Sequence, residues 1–398
     1  MKRVLGAISW GAKSAISRRA FVLAGSAAVL AGCQIIPKTD TASTGPVGPS
    51  APGPTPTALP TDAARHRVAL LVPMSGSTSA VGQALANATT MALLDTNADN
   101  LRITTYDTGS DAGEAARQAI VDGNKLILGP LLAANVPAVR AQARPASVPA
   151  IAFSNDTDVA GSDVFLMGYV PEQSVDRTVQ WARARGSNSF ASLVPEGDYG
   201  KRSFDALQNA LAAYGGNLVA RESYARGNTS IISAAQRLRT AGGYDTVLVA
   251  DGARLAMQAA GELKRDGAEG TRILGTELWS GEAGLTRSTS MNGSVFSAVS
   301  NRRFKRFSDS YETRFGSKPY RIATLGYDSV LLTLRIAQDW QVGDTFPVTR
   351  LFDEGGFLGV DGAFRFGRDG VAERALEVRQ VNGGAITAVD PAPSSFGE

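Results

Sequence analysis

Short apolar runs alternate with amphipathic stretches along most of the chain between residues 67 and 277. The runs are rich in Val, Leu and Ile, which is typical of strands covered on both faces of a parallel sheet. The predicted strands are 67–74, 101–107, 125–130, 148–154, 164–170, 190–196, 218–224, 245–251 and 272–277. The amphipathic stretches have the period of helices, and many end at glycine. The predicted helices are 80–95, 111–123, 174–186, 201–216, 230–243 and 253–267.

Strands and helices that alternate in this way predict an α/β fold with parallel sheets. Two similar series over this length indicate two doubly wound lobes instead of one large sheet. Residues 356–390 differ, because apolar and polar residues alternate there at every second position. The dipeptides Asp369-Gly370 and Asn382-Gly383 favour tight turns. The chain is therefore predicted to end in C-terminal antiparallel strands.

The first 32 residues have the pattern of a secretory signal. They carry five basic and no acidic residues, and end in an apolar run at 20–32. That run is shorter than the about 20 residues that a membrane span needs. Cys33 follows, and it is the only cysteine among 398 residues. The segment LAGC at 30–33 resembles the lipobox of bacterial lipoproteins, in which the cysteine is acylated and becomes the first residue after cleavage.

The lipobox resemblance implies that Cys33 is the lipidation site and anchors the mature protein to a membrane. An ordinary signal with a chance cysteine is the alternative. Gln34 stands where an aspartate would resemble an inner-membrane retention signal, so we expect the periplasmic face of the outer membrane. Residues 17–23, SRRAFVL, resemble a twin-arginine export motif, and the general secretory route is an equal alternative.

A linker is predicted between the lipid and the folded domain. Residues 37–60 contain seven of the chain's 18 prolines and no aromatic residue, so they bury too little apolar surface to fold. Removing residues 1–32 leaves 35 basic against 37 acidic residues, a net charge of −2. Basic residues are not interleaved with aromatic ones in the remaining chain, so nucleic acid is not an expected partner.

The composition also argues against several kinds of catalysis. His66 is the only histidine and is predicted to be a solvated linker residue. Ser-His-Asp and Cys-His catalysis therefore lack their base, and zinc sites lack their usual ligands. Residues 156–163 begin like a calcium loop, but Ala160 occupies the third ligand position. No spacing singles out a catalytic pair of carboxylates, so we expect a protein that is not an enzyme and uses no cofactor or metal.

The order of several motifs resembles the type I periplasmic binding proteins, specifically their leucine/isoleucine/valine-binding branch. The motifs are ALLVPMSGSTSAVGQALANA (69–88), LILGPLLAANVPAV (126–139), VPAIAFSND (148–156), VPEGDYGKRSFDALQNAL (194–211), ATLGYDSVLLTL (323–334) and GFLGVDGAFRFGRDGVAER (356–374). The resemblance implies two α/β lobes joined by three hinge strands, with a ligand in the cleft between them.

With this resemblance, the chain divides into five predicted segments. They are a lipoprotein signal peptide at 1–32, a lipid-anchored Pro/Thr/Ser-rich linker at 33–66, lobe 1 at 67–171 plus about 298–346, lobe 2 at 172–297 plus about 347–391, and a flexible tail at 392–398.

The resemblance also implies positions for ligand contacts. The candidate cleft residues are Ser75, Ser154, Asp156, Tyr199 and Glu277. Tyr199 matches the aromatic residue of the family's DYG motif, and Glu277 matches the acid that holds a ligand ammonium group. Leu131 stands where the family offers a hydroxyl to the ligand carboxylate, and Asp156 would repel a carboxylate. The ammonium side of an amino-acid site is therefore present, whereas the carboxylate side is altered.

An altered carboxylate side, together with a proline-rich linker, resembles one subgroup: the penicillin-binding-protein activator lipoproteins. That resemblance implies a regulator that docks on a peptidoglycan synthase (a penicillin-binding protein). The alternative is a receptor that delivers an amino acid or related small molecule to an ABC transporter. Leu131, Asp156 and the linker favour the regulator, whereas Tyr199 and Glu277 favour the receptor.

Overall fold

The computed structural model describes residues 64–227, 229–265 and 270–396. These residues belong to one compact unit, Pro60–Glu398. The signal peptide, the lipidation site Cys33 and most of the predicted linker lie outside the described residues, so they stay predictions. Within the described ranges, no helix is both long enough and apolar enough to cross a bilayer.

The first lobe is built on a five-stranded parallel sheet, as the short apolar runs predict. Its strands are β1 (His66–Val72), β2 (Leu101–Asp107), β3 (Leu126–Leu128), β4 (Ala150–Ala152) and β5 (Val164–Leu166). Their order is β2-β1-β3-β4-β5, and every pairing is parallel. Strand β1 is paired on both sides and nearly all of it is buried, which explains its continuous apolar run.

Helices cover both faces of this sheet. The first three are α1 (Ser79–Thr96), α2 (Ala112–Val121) and α3 (Val136–Ala143). Leu85 of α1 packs with Leu70 on one face, whereas α2 and α3 pack against Ala69 and Ile127 on the other. The apolar pattern did not predict α3, which has only eight residues.

The second lobe repeats the arrangement. Its parallel strands are β6 (Ser189–Pro195), β7 (Asn217–Tyr224), β8 (Thr246–Val249), β9 (Arg272–Leu274) and β10 (Val295–Val299). Its helices are α4 (Pro171–Arg183), α5 (Asp198–Tyr214), α6 (Ser230–Ala241) and α7 (Ala253–Leu263). Helices α6 and α7 share one core with the sheet, and α4 and α5 share the other. The predicted fold class, two doubly wound α/β lobes, is confirmed.

The rest of the chain contributes to both lobes. The remaining elements are α8 (Phe304–Phe315), α9 (Ala323–Ala337), β11 (Phe357–Gly359), β12 (Gly362–Phe366), β13 (Ala372–Arg374), β14 (Leu376–Asn382) and β15 (Ala385–Asp390). Strands β11–β13 form a separate antiparallel sheet, and β14 and β15 extend the second lobe's sheet in the order β15-β14-β10-β9-β8-β6-β7. The predicted antiparallel end of the chain is confirmed, with Asp369-Gly370 between β12 and β13 and Gly383-Gly384 between β14 and β15.

The packing places one segment differently from the predicted domain boundaries. Residues 347–391 were assigned to lobe 2, but Leu351, Phe357 and Phe366 lie in the core of the first lobe. The ring of Phe366 packs edge-on against Phe165 of β5, with centroids 5.8 Å apart. Burial of these side chains holds β11–β13 on lobe 1, so only β14 and β15 return to lobe 2.

Three chain crossings connect the lobes. The first lies between β5 and α4, the second between β10 and α8, and the third at Ala375 between β13 and β14. These crossings agree with the three hinge connections that the family resemblance implies. Any relative motion of the lobes must be taken up at these short segments.

A glycine sets the approach of α1 to β1 and of α5 to β6. A Cβ atom at Gly82 would lie 1.8 Å from the Pro73 carbonyl oxygen, and one at Gly200 would lie 1.7 Å from that of Pro195. Only glycine fits such close contacts with a backbone oxygen. Helices α1 and α5 therefore begin directly beside the ends of β1 and β6, at the edge of the cleft.

His66 is not the solvated linker residue that the sequence predicted. It is the first residue of β1, is buried, and stacks on Trp340 with ring centroids 4.1 Å apart. Burial lowers its pKa from 6.5. The single histidine is thus part of the first lobe's packing, at the point where the described chain begins.

Candidate functional site

A cavity of about 410 Å³ lies between the two lobes. It borders the first crossing through Tyr169 and Val170, the second through Val299 and the third through Arg374. Its walls are mostly apolar, with a few polar groups at selected points, which is the usual composition of a small-molecule site. The lining residues used below are Leu131, Tyr169, Glu277, Arg321 and Arg374.

Glu277 is the predicted site residue that lines this cavity. Its Oε1 accepts a hydrogen bond from the Tyr199 hydroxyl at 2.9 Å, and that hydroxyl also lies 2.8 Å from Thr276 Oγ1. Oε2 is buried and has no hydrogen-bond partner among the described residues. Burial raises the pKa of Glu277 to about 7. The hydrogen bond from Tyr199 lowers the pKa, but burial has the larger effect. Glu277 therefore lies at the cavity wall with one oxygen held by Tyr199 and the other enclosed.

Asp156 lies at the mouth of the cleft, in an ion-pair group that joins the lobes. Arg202 of α5 forms two hydrogen bonds with Glu172 of α4, at 2.6 and 2.7 Å. The same guanidinium lies 3.7 Å from Asp156 Oδ1 in the first lobe. The carboxylate that sequence reasoning expected to repel a ligand anion is therefore already beside a cation.

Ser75 and Ser154 are not among the residues that line the cavity. Ser75 is exposed, and its backbone N–H donates to Asp107 Oδ1 at 3.2 Å. Ser154 is buried, and its Oγ accepts from the Asp156 backbone N–H at 3.0 Å. Leu131, the replacement for a hydroxyl residue, does line the cavity. Contact of a ligand with Ser75, Ser154, Asp156 or Tyr199 stays a prediction.

A buried polar cluster forms one side of the cavity. Arg321 Nη1 donates to Asp361 Oδ1 at 2.5 Å, and the Tyr169 hydroxyl donates to Asp361 Oδ2, also at 2.5 Å. The Thr324 hydroxyl lies 2.9 Å from the same Oδ2. Burial alone would raise the pKa of Asp361, but the Arg321 and Arg374 guanidiniums outweigh burial and lower it.

Asp328 lies directly behind this cluster. Its carboxylate accepts the backbone N–H groups of Val360 at 2.6 Å and Asp361 at 3.2 Å. Burial, followed by the charge of Asp361, raises the pKa of Asp328. Asp328 is therefore the weaker acid of the two, and Asp361 carries more of the charge that balances the nearby guanidiniums.

The lining of the cavity offers groups that can bind a small molecule. Among the described residues, no group of three or more His, Cys, Asp or Glu side chains could hold a metal ion. The polar groups that line the cavity are arginines, a glutamate and hydroxyl or amide side chains. Such groups can bind an organic molecule that is apolar in its body and polar at its ends.

Sequence reasoning missed the polar cluster completely. Tyr169, Arg321, Asp361 and Arg374 come from distant parts of the chain and meet only because the three crossings converge. A usable signal exists in the segment 371–379, where four charged residues, Glu373, Arg374, Glu377 and Arg379, are interspersed with apolar strand residues. A charged residue at a buried strand position needs a partner, which marks it as a candidate for function.

Comparison with known proteins agrees with this architecture. A family model described as periplasmic binding protein matches residues 66–385 of the chain. The chain belongs to the periplasmic binding protein family. The match covers both lobes and all three crossings.

Several solved structures share the fold. A leucine binding protein from Thermotoga maritima superimposes with a TM-score of 0.63 at 18% identity, covering 82% of this chain and 98% of that one. A branched chain amino acid ABC transporter periplasmic ligand-binding protein from Burkholderia xenovorans gives 0.68 at 16% identity, covering 84% and 97%. A solute binding protein from R. palustris in complex with benzoate gives 0.63 at 16% identity, covering 84% and 98%.

Two curated proteins are also similar over part of the chain. An uncharacterised protein of Rickettsia prowazekii is 26% identical over 160 residues, which are 39% of this chain and 43% of that protein. A penicillin-binding protein activator of Photobacterium profundum is 27% identical over 145 residues, 35% of this chain and 24% of that protein. The chain thus spans less than half the length of each of these relatives.

Proposed function

We propose that this protein is a receptor that binds a small organic molecule between its two lobes and does not transform it. The observation that supports this most strongly is the cavity of about 410 Å³ that borders all three crossings. A ligand there touches both lobes and the segments that join them. Its binding would favour one relative position of the lobes, which is how a transport receptor signals occupancy.

The walls of the cavity restrict the kind of ligand. Leu131, Phe153 and Ile322 suit an apolar body, and the carboxyl group of Glu277 suits a hydrogen-bond donor such as an ammonium or phenolic hydroxyl group. Leu131 cannot offer the hydroxyl that the branched-chain receptors use for a carboxylate. One similar structure was solved with isoleucine and another with benzoate, so both amino acids and aromatic acids belong in a first screen.

A thermal-shift screen of the full protein tests this proposal. A ligand at 100 times its Kd adds about 2.7 kcal/mol to the folded state, which raises the melting temperature visibly. We expect at least one branched-chain amino acid or aromatic acid to produce such a rise. A panel of these compounds at millimolar concentration with no rise would contradict the receptor function.

A second candidate is the activation of a peptidoglycan synthase. It is supported by the partial similarity to the penicillin-binding protein activator of Photobacterium profundum. It also draws on the predicted lipidation of Cys33 and the predicted outer-membrane location. In this case the folded unit would dock on a penicillin-binding protein, with the linker providing reach. Co-purification of such a synthase with the lipidated protein, and faster peptidoglycan synthesis when it is added, would favour this candidate.

A further inference from the structure

Arg374 differs from the other buried cations at the cleft. Arg374 is only 6% exposed, and it lines the cavity at the third crossing. Arg379, five residues later, pairs with Glu377 at 2.7 Å, and Arg321 pairs with Asp361 at 2.5 Å. No carboxylate among the described residues forms an ion pair with Arg374.

The guanidinium of Arg374 is held in place by contacts other than a direct ion pair. One nitrogen, Nη2, donates to the carbonyl oxygen of Met167. The guanidinium carbon lies 5.1 Å from the ring centroid of Tyr169 and 5.3 Å from that of Phe364. These contacts orient the group, but Nε is buried and has no hydrogen-bond partner. A buried donor and a buried charge that lack partners are both costly.

Asp361 cannot serve as the missing partner. Its two oxygens already receive Arg321 Nη1, the Tyr169 hydroxyl and the Thr324 hydroxyl. Asp328, the next carboxylate, faces the backbone N–H groups of Val360 and Asp361. Arg374 therefore lies at the cavity wall with no carboxylate of the described residues in direct contact with its guanidinium.

Arg321 lies beside Arg374 at the cavity wall. Both residues line the cavity, and both guanidiniums lie near the ring of Tyr169, with their carbons 6.0 Å and 5.1 Å from its centroid. Guanidinium groups suit the two oxygens of a carboxylate. Neither residue belongs to the turn after Gly129-Pro130, where the family resemblance placed the carboxylate contact.

We infer that Arg374, assisted by Arg321, binds the anionic group of the ligand, and that the ligand is a carboxylate with an apolar body lying along Leu131 and Phe153. This inference rests on the proposed receptor function and adds the charge and orientation of the ligand. The anion lies against the crossings, with the apolar body extending into the cleft. The carboxyl group of Glu277 remains to accept a hydrogen bond from a donor elsewhere on the ligand.

Isothermal titration of the full protein with pairs of compounds tests the inference. Each pair consists of a carboxylate and the amide derived from it. Examples are benzoate and benzamide, 4-hydroxybenzoate and its amide, and isoleucine and isoleucinamide. We expect each carboxylate that binds to bind about 10- to 100-fold more tightly than its amide. The variant Arg374→Gln should remove that preference, and Arg374→Lys should restore part of it. The control Arg368→Gln, an exposed arginine of the same hairpin, should leave it unchanged.

The outcomes separate this inference from the receptor function. Equal binding of carboxylates and amides by the unaltered protein would contradict the anion site but leave a receptor. Unchanged preference in a folded Arg374→Gln protein would contradict the role of Arg374. If Arg374→Gln does not fold, the comparison of carboxylate with amide and the Arg374→Lys variant decide. Absence of binding by every compound would contradict the receptor function itself, and with it the inference.

Discussion

Glu277→Gln should stabilise the protein at neutral and alkaline pH. The pKa of Glu277 rises from 4.5 to about 7, because the carboxyl is buried. Each pKa unit corresponds to about 1.36 kcal/mol, so keeping this group ionised in the folded state costs up to about 3 kcal/mol. Glutamine has nearly the same shape and can still accept the Tyr199 hydrogen bond, but it carries no charge.

The sign of the effect follows from the direction of the pKa change. Below pH 4.5 the group is protonated in the folded and unfolded states, and it costs nothing. Between pH 4.5 and about 7 the unfolded state loses the proton first, so stability falls as pH rises. Above about pH 7 the cost is complete. The variant should therefore match the unaltered protein near pH 4.5 and exceed it by about 2–3 kcal/mol at pH 8.

Urea unfolding followed by circular dichroism, repeated from pH 4.5 to 8, measures this difference. The matched control is Glu196→Gln, an exposed glutamate at the end of β6, which should follow the unaltered protein at every pH. A difference between Glu277→Gln and the unaltered protein that does not change with pH would refute the reasoning. So would a variant that is less stable at pH 8.

Three further changes test other contacts of the cleft. Tyr199→Phe removes the hydrogen bond that lowers the pKa of Glu277, so the pH range over which stability falls should move upward in the same urea series. Asp361→Asn leaves Arg321 without its counter-ion and should cost about 3–5 kcal/mol by urea unfolding, whereas the exposed Asp344→Asn should cost little. Arg202→Gln removes the cation between Glu172 and Asp156, so X-ray scattering should show a larger radius of gyration than for Lys201→Gln, whose ion pair stays within α5. An unchanged pH range, a small cost for Asp361→Asn, or equal radii would each contradict the corresponding contact.

Most of the fold could be predicted because it depends on local patterns. Strand β2 coincides with the predicted 101–107, and β1 and β6 differ from their predictions by a residue or two at most ends. Where the pattern was short or irregular, prediction failed, as for α3. The segment 351–372 packs on lobe 1 and not on the predicted lobe 2, because its aromatic side chains meet Phe165 and its neighbours, a contact that the local pattern does not reveal.

The candidate site was less predictable, for a physical reason. Glu277 could be found because a family motif surrounds it. Arg321 and Arg374 could not, since what matters is whether each meets a carboxylate in the folded chain. Arg321 pairs with Asp361, 40 positions away, whereas Arg374 forms no ion pair among the described residues. The burial of His66 is similar, because its stacking on Trp340 joins the two ends of the first lobe. Neither can be inferred from spacing along the chain.

Native mass spectrometry of the full protein, purified without denaturation and then mixed with the carboxylate panel, tests the central claim most directly. The account predicts one small molecule bound per protein chain. It also predicts loss of that complex in Asn155→Trp, which fills the cavity mouth from an exposed position without disturbing a buried side chain. A protein that carries no small molecule, and gains none from the panel at millimolar concentration, would contradict the account.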